Sequence, residues 1–235
     1  MSDRTPLVLV PGLLLTDGMW AHQTRHLADI ADIVVADTLR DDSIDAMADR
    51  LLAEAPARFA LAGLSMGGYV AMAVVRKAPE RVTKLALMDT QARPDTAEAT
   101  RRRQGLIALS DQGKFKGVTP RLLPMLVHEE RLEDKSLVDP IMTMAEAVGQ
   151  AGFVRQQTAI IGRPDARPGL AEVACPTLVL CGRQDALTPL ALHEEMAALV
   201  PGARLAVIEE CGHLPTLERP HAATTLMRDW LLHER

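Results

Sequence analysis

Six short apolar runs punctuate the chain, at residues 7–10, 33–36, 59–62, 84–89, 177–182 and 204–208. Each is bounded by polar or turn-forming residues, and most are built from Val, Leu, Ile and Ala. Runs of this length suit strands buried on both faces. Between them lie stretches with helical spacing. Residues 66–78 place Val70, Ala73, Val74 and Lys77 three or four apart and stop at Pro79. Asp17 is placed to cap a helix carrying Met19, Trp20, His22 and Leu27, and Ser43 to cap another that runs to about Ala55. Helices over 190–199 and 220–232 complete the pattern. Strand alternating with helix at this pace predicts an α/β fold with right-handed crossovers: a mostly parallel sheet of about six strands, covered by helices on both faces.

The rhythm stops between Thr90 and about Ala174, where no convincing β run occurs. Helical stretches take its place at 95–110, 120–127, 140–150 and 153–161. Asp139 before Pro140 reads as a capping side chain ahead of a proline at the first helical position. The chain is therefore expected to be a single domain, 1–235, with an all-helical insertion at about 92–170 placed as a lid. A length of 235 residues is enough for one full core.

Composition narrows the function classes. Hydrophobic residues at 48% and charged ones at 24% exclude extensive disorder. A net charge of −5 without long runs of one sign favours neither nucleic acid nor an anionic membrane as partner. The densest basic spot, Arg101-Arg102-Arg103, reads as a solvated helix face. Cys175, Cys181 and Cys211 are odd in number and lack metal-ligand spacing, as expected of small buried residues in a reducing compartment. No signal peptide or membrane span is legible, so the expected location is cytoplasmic.

The chemistry gathers at strand ends. Ser65 stands in Gly63-Leu64-Ser65-Met66-Gly67, between the run at 59–62 and the helix at 66–78. A strand that turns into a helix with almost no loop strains the middle residue and lifts its hydroxyl above the sheet edge. Asp185 and His213 also lie just past predicted strands, and open α/β sheets bind ligands outside those carboxyl ends. A serine hydroxyl needs a base, which an imidazole supplies, and a carboxylate on the far ring nitrogen fixes the tautomer. Each position has a plainer reading: a Gly-rich turn for Ser65, a backbone cap for Asp185, a surface histidine for His213. Asp89, past the fourth strand, competes with Asp185 for the acid role. His22, His26, His128, His193, His221 and His233 fall in or beside helices and read as surface or packing residues. For an oxyanion, the backbone amide of Met66 is one donor, and Leu13 is preferred to Leu14 as the other. Leu14, Trp20, Met125, Met142, Met144 and Phe153 are candidates for an apolar pocket, or for packing the lid.

Val10-Pro11-Gly12-Leu13, the serine segment Gly63-Leu64-Ser65-Met66-Gly67-Gly68, Gly182-Arg183-Gln184-Asp185-Ala186-Leu187-Thr188-Pro189 and Gly212-His213-Leu214-Pro215 together resemble the α/β-hydrolase fold superfamily over nearly the whole chain. The likeness is greatest to small bacterial esterases and lactonases of the carboxylesterase and enol-lactonase type. It implies a serine hydrolase acting on a small ester or lactone, with a lid and without metal or organic cofactor. Carbon–carbon bond hydrolysis or a lyase reaction with the same three residues is the alternative, and a non-catalytic ligand-binding member of the fold is the alternative of another class. Two departures stand out. Pro11 replaces the histidine that many relatives carry before the oxyanion glycine. Few residues precede the first strand, so the antiparallel strands that often lead the sheet are expected to be absent.

Overall fold

The computed structural model describes residues 4–119 and 122–233. Its sheet has six strands: β1 (Thr5–Val10), β2 (Ala31–Val35), β3 (Phe59–Leu64), β4 (Val82–Met88), β5 (Thr177–Gly182) and β6 (Arg204–Ile208). Their order across the sheet is β2-β1-β3-β4-β5-β6, and all five pairings are parallel. The chain first moves outward from β1 to β2, then returns to the far side of β1 with β3. That reversal leaves a crevice above the ends of β1 and β3, which is where such sheets take ligands.

Alternation along the strands divides the core in two. Leu7, Leu9, Ala60, Ala62, Ala86, Met88, Leu178 and Leu180 face one layer. Val8, Val10, Leu61, Leu85, Leu87 and Val179 face the other. The second layer is closed by α2 (Ile44–Glu54), α3 (Met66–Lys77) and α8 (Leu190–Leu199), through residues such as Met47, Val70, Val74 and Met196. The first is closed by α1 (Ala21–His26), the short α9 (Pro215–Glu218) and α10 (Pro220–Leu232), through Leu27, Leu217, Met227 and Trp230. β3 is buried at all six positions, as a central strand covered on both faces must be.

Between β4 and β5 the described part of the chain holds helices joined by loops and no strand. The elements are α4 (Ala97–Leu109), α5 (Leu123–Leu126), α6 (Lys135–Ile161) and α7 (Arg167–Leu170). α6 contains the two expected runs, joined at Gly149, where φ is 65° and ψ is 180°. Pro120 and Arg121, placed at the start of a helix by the sequence, lie outside the described residues.

Two expected caps move. Thr16, not Asp17, accepts the Gly18 amide, and the turn it opens is a 3-10 segment (Asp17–Trp20) leading into α1. The cap of α6 is Asp134, which accepts from the Ser136 amide and hydroxyl, and Asp139 is already inside the helix. Pro140 sits at the sixth helical position, where it removes one intrahelical bond, and the helix absorbs that loss. Ser43 does cap α2, through the Ala46 amide. Arg101 and Arg102 are exposed as expected, whereas Arg103 turns inward to Asp95 and Gln157. Cys181 and Cys211 are buried, Cys175 only partly.

Candidate active site

One residue, Ser65, separates β3 from α3, and its φ of 55° and ψ of −116° are unusual for a side-chain-bearing residue. Such a conformation costs about 1–3 kcal/mol and persists only where its surroundings impose it. Here the imposition is crowding. A Cβ on Gly63 would lie 2.1 Å from the Gly67 carbonyl, and one on Gly67 would lie 2.1 Å from that of Val10. Only glycine lets strand, turn and helix come so close. The amide of Met66 opens α3 and so has no carbonyl within the helix to receive it.

His213 follows β6 and is almost wholly buried, its backbone amide tied to the Leu126 carbonyl at 3.0 Å. Its Nε2 lies 2.9 Å from Ser65 Oγ and its Nδ1 2.8 Å from Asp185 Oδ2. Burial alone would push the Asp185 carboxyl up. The charge and hydrogen bond of His213, with bonds from Thr188, outweigh it and hold that carboxyl at about 2. Asp185 is then an acceptor, so Nδ1 carries the proton and Nε2 is free to accept from the serine hydroxyl. Asp185 is also fixed from behind: its Oδ1 accepts the Leu187 amide at 2.8 Å and the Thr188 amide at 3.0 Å. The structure thus joins three residues 28 and 148 positions apart into one hydrogen-bonded chain.

Asp89 does not touch His213. It lies close to Asp185, fully buried, with Oδ1 accepting the Gly182 amide at 2.9 Å and Oδ2 without a hydrogen-bond partner among the described residues. Burial first, then the Asp185 charge, push its carboxyl well above the usual carboxylate range. His193, expected as a surface or packing residue, completes this buried group: its Nε2 accepts the Thr90 amide at 3.0 Å. Donor atoms of Asp89, Asp185 and His193 lie within 4.8 Å of one another, the only such group among the described residues. A cation there would have to compete with His213 and Thr188 for Asp185. The cluster is better suited to backing the acid than to holding a metal.

Burial depresses the His193 ring to about 4, against which the Asp185 charge works upward. The ring is neutral in the fold but titrates near 6.5 once unfolded. The unfolded chain therefore binds more protons between these values, and stability falls as pH drops from about 6.5 towards about 4. His193→Gln, which keeps an acceptor for Thr90, should flatten urea-denaturation stability across that window. An unchanged slope would assign the acid sensitivity elsewhere.

Glu218 is the functional neighbour that sequence reasoning missed. Only 2% exposed, it accepts the amides of Gly212 at 3.0 Å, Leu214 at 3.1 Å and His128 at 2.7 Å. It thereby brackets His213 on both sides and ties that loop to the insertion. Nothing in its local sequence marks it, because only the fold buries it beside the His213 loop. Glu218→Gln sets an amide N–H against donors that have no other acceptor. Stranding such groups costs about 1–3 kcal/mol each. A loss of about 3 kcal/mol would lower Tm by about 6–12 °C by calorimetry. A Tm within 2 °C of wild type would refute the bracket.

The oxyanion and pocket candidates divide as follows. Leu13 is half-buried, and its amide makes no hydrogen bond among the described residues. The Leu14 amide is taken by Gln156 at 3.0 Å. Trp20 is completely buried in the core, and Leu14, Met144 and Phe153 are buried with it, the Phe153 ring tilted against that of Phe115 with centres 5.3 Å apart. Met142 is half-buried against the same cluster, and Met125 is half-buried outside it. The apolar wall is thus mostly packed into the body of the fold.

Comparison with known proteins bears on the whole arrangement. A family model described as "Alpha/beta hydrolase family" matches residues 7–225. A pimeloyl-[acyl-carrier protein] methyl ester esterase of Aromatoleum aromaticum is 28% identical, over 97% of this chain and 98% of the relative. Among solved structures, a thermophilic esterase from Thermogutta terrifontis superposes with a TM-score of 0.88 at 31% identity, covering 98% of this chain and 90% of that one. The enol-lactonase of Burkholderia xenovorans LB400 gives 0.87 at 23% identity, covering 99% and 93%, a likeness of fold.

Proposed function

Because this chain belongs to the alpha/beta hydrolase family, we propose that it hydrolyses a small carboxylic ester through an acyl-enzyme formed on Ser65. The observation that carries the reading is the continuous chain Ser65 Oγ, His213 Nε2, His213 Nδ1, Asp185 Oδ2, at 2.9 and 2.8 Å. As Ser65 attacks the ester carbonyl, His213 takes the hydroxyl proton on Nε2. Asp185 holds the ring and stabilises the imidazolium. The oxyanion is received by the amides of Met66 and Leu13, each worth about 3–4 kcal/mol in the transition state when well placed. The imidazolium then protonates the departing alcohol. Water attacks the acyl carbon while His213 takes its proton; His213 returns that proton to Ser65 Oγ as the acyl–oxygen bond breaks, and the acyl group leaves as a carboxylic acid.

The named relatives support an ester in preference to other acyl compounds: one acts on a methyl ester of a carrier-protein-bound acid, another is an esterase. A lactone is the cyclic form of the same bond and fits the same steps. Unpaired Cys175, Cys181 and Cys211 suit a reducing, cytoplasmic location, and no described helix is long and apolar enough to cross a membrane.

The test is labelling by a fluorophosphonate together with turnover of p-nitrophenyl esters of graded acyl length, lactones and dienoic diketones. Labelling with ester or lactone turnover is expected. Turnover of diketones alone would move the reaction to carbon–carbon cleavage, and neither labelling nor turnover would overturn the reading.

A further inference from the structure

Leu14 is held by the helical insertion. Its amide donates to Gln156 Oε1 at 3.0 Å in a fully buried contact, although the two residues are 142 positions apart. Gln156 lies in α6 beyond the break at Gly149, and its Nε2 faces Thr38 in the β2–α2 connection, 3.4 Å from the carbonyl. Because Leu14 N–H is a donor, the amide oxygen of Gln156 must face the loop. Leu14 also has φ 61°, which a leucine adopts only under constraint. Leu15 closes the turn onto the Gly12 carbonyl at 3.2 Å, and a Cβ on Gly12 would lie 3.3 Å from that of Ser65. The loop so pinned is therefore the one beside the reacting hydroxyl.

We infer that Gln156 is a positioning residue: it takes the Leu14 amide, fixes the loop at residues 11–15 and leaves the Leu13 amide as that loop's oxyanion donor. The inference rests on the acyl-enzyme reading above. It makes the oxyanion hole conditional on α6, since the clamp exists only while this part of the insertion is seated on the sheet. A glutamine present only for packing would be exchangeable for an apolar residue of equal length, at a cost in stability alone.

Gln156→Met keeps the length and removes the oxygen, and Gln156→Glu keeps an oxygen towards Leu14. In the purified full chain, Gln156→Met should lower kcat for a p-nitrophenyl ester by about 10- to 100-fold with KM within about twofold, a fraction of what a deleted oxyanion donor costs. Affinity for an alkylboronic acid, which forms a tetrahedral adduct on the serine, should fall by the same factor. Gln156→Glu should restore most of the loss. Unchanged kcat and boronate affinity with only a lower Tm would overturn the inference, as would equal losses in the two variants. Should Gln156→Met not fold, Gln156→Glu decides alone: kcat within about threefold of wild type supports the oxygen clamp, and a loss beyond tenfold overturns it. A Ser65-dependent wild type with unaffected variants sinks this inference alone. A wild type neither labelled nor active sinks the acyl-enzyme reading with it.

Discussion

Ser65→Ala should lower kcat for any ester that the wild type hydrolyses by about 10⁶-fold and abolish fluorophosphonate labelling. The loss is that large because the steps are sequential: without the hydroxyl no acyl-enzyme forms, and the bond between His213 and Asp185 has nothing to serve. What survives is the oxyanion site acting on water-borne attack, worth about 10³–10⁴ over the uncatalysed rate in triad enzymes. Stability should barely change. The hydroxyl makes one side-chain bond, to His213 Nε2, while the strained backbone of residue 65 is imposed by Gly63 and Gly67 and not by the hydroxyl. A Tm within about 2 °C of wild type, measured on the same preparation, separates lost chemistry from lost fold. Ester turnover that persists in this variant, after contaminating esterase is excluded by active-site titration, would remove Ser65 from the reaction.

The sheet was legible because its signal is local and repeated. Each strand is a short apolar run ended by a turn, and six such runs in alternation with helices leave few parallel arrangements. The residues gathered at the site were legible for a different reason. Ser65, Asp185 and His213 each sit just past a strand, so topology alone brings them to one edge. Gly63 and Gly67 announce the close approach at the turn, since no other residue fits there. Gln156, Glu218 and His193 left no such trace. Their partners are Leu14, Gly212 with His128, and Thr90, in some cases more than a hundred positions away, and a buried polar group has no periodicity until the fold supplies its partner. The start of α6 failed on a local ambiguity. Asp139-Pro140 has the local form of an opening, but the bonds Ser136 makes to Asp134 start the helix five residues earlier, at Lys135. Position in the loop favours Leu13 over Leu14 as donor; the stronger physical reason, that Gln156 occupies the Leu14 amide, lies in a helix whose docking local sequence does not reveal.

Asp185→Asn and Asp89→Asn should separate the two acids by orders of magnitude. Asn at 185 presents His213 with an amide that can donate, which favours the tautomer with its proton on Nε2, where the ring can no longer accept from Ser65. The same exchange in a serine triad costs about 10⁴-fold in kcat. Asp89→Asn should cost less than tenfold, because the His213 ring bonds to Asp185 and not to Asp89, and asparagine keeps the Oδ1 that accepts from Gly182. The stabilities should move in opposite directions. Asp185 ionises at about 2 in the fold against 3.8 unfolded, so its stabilising contribution is complete above about 4 and is lost as pH falls through about 2. Asp89 is raised above 3.8, so the folded chain binds the extra proton and stability falls as pH rises from that value. Asp89→Asn removes that penalty, and its Tm relative to wild type should climb as pH rises above about 4, while Asp185→Asn should be destabilised most at neutral pH. The reverse pattern, with Asp89→Asn inactive and Asp185→Asn nearly intact, would place the orienting carboxylate one strand earlier and require His213 to leave the position in which Asp185 holds it.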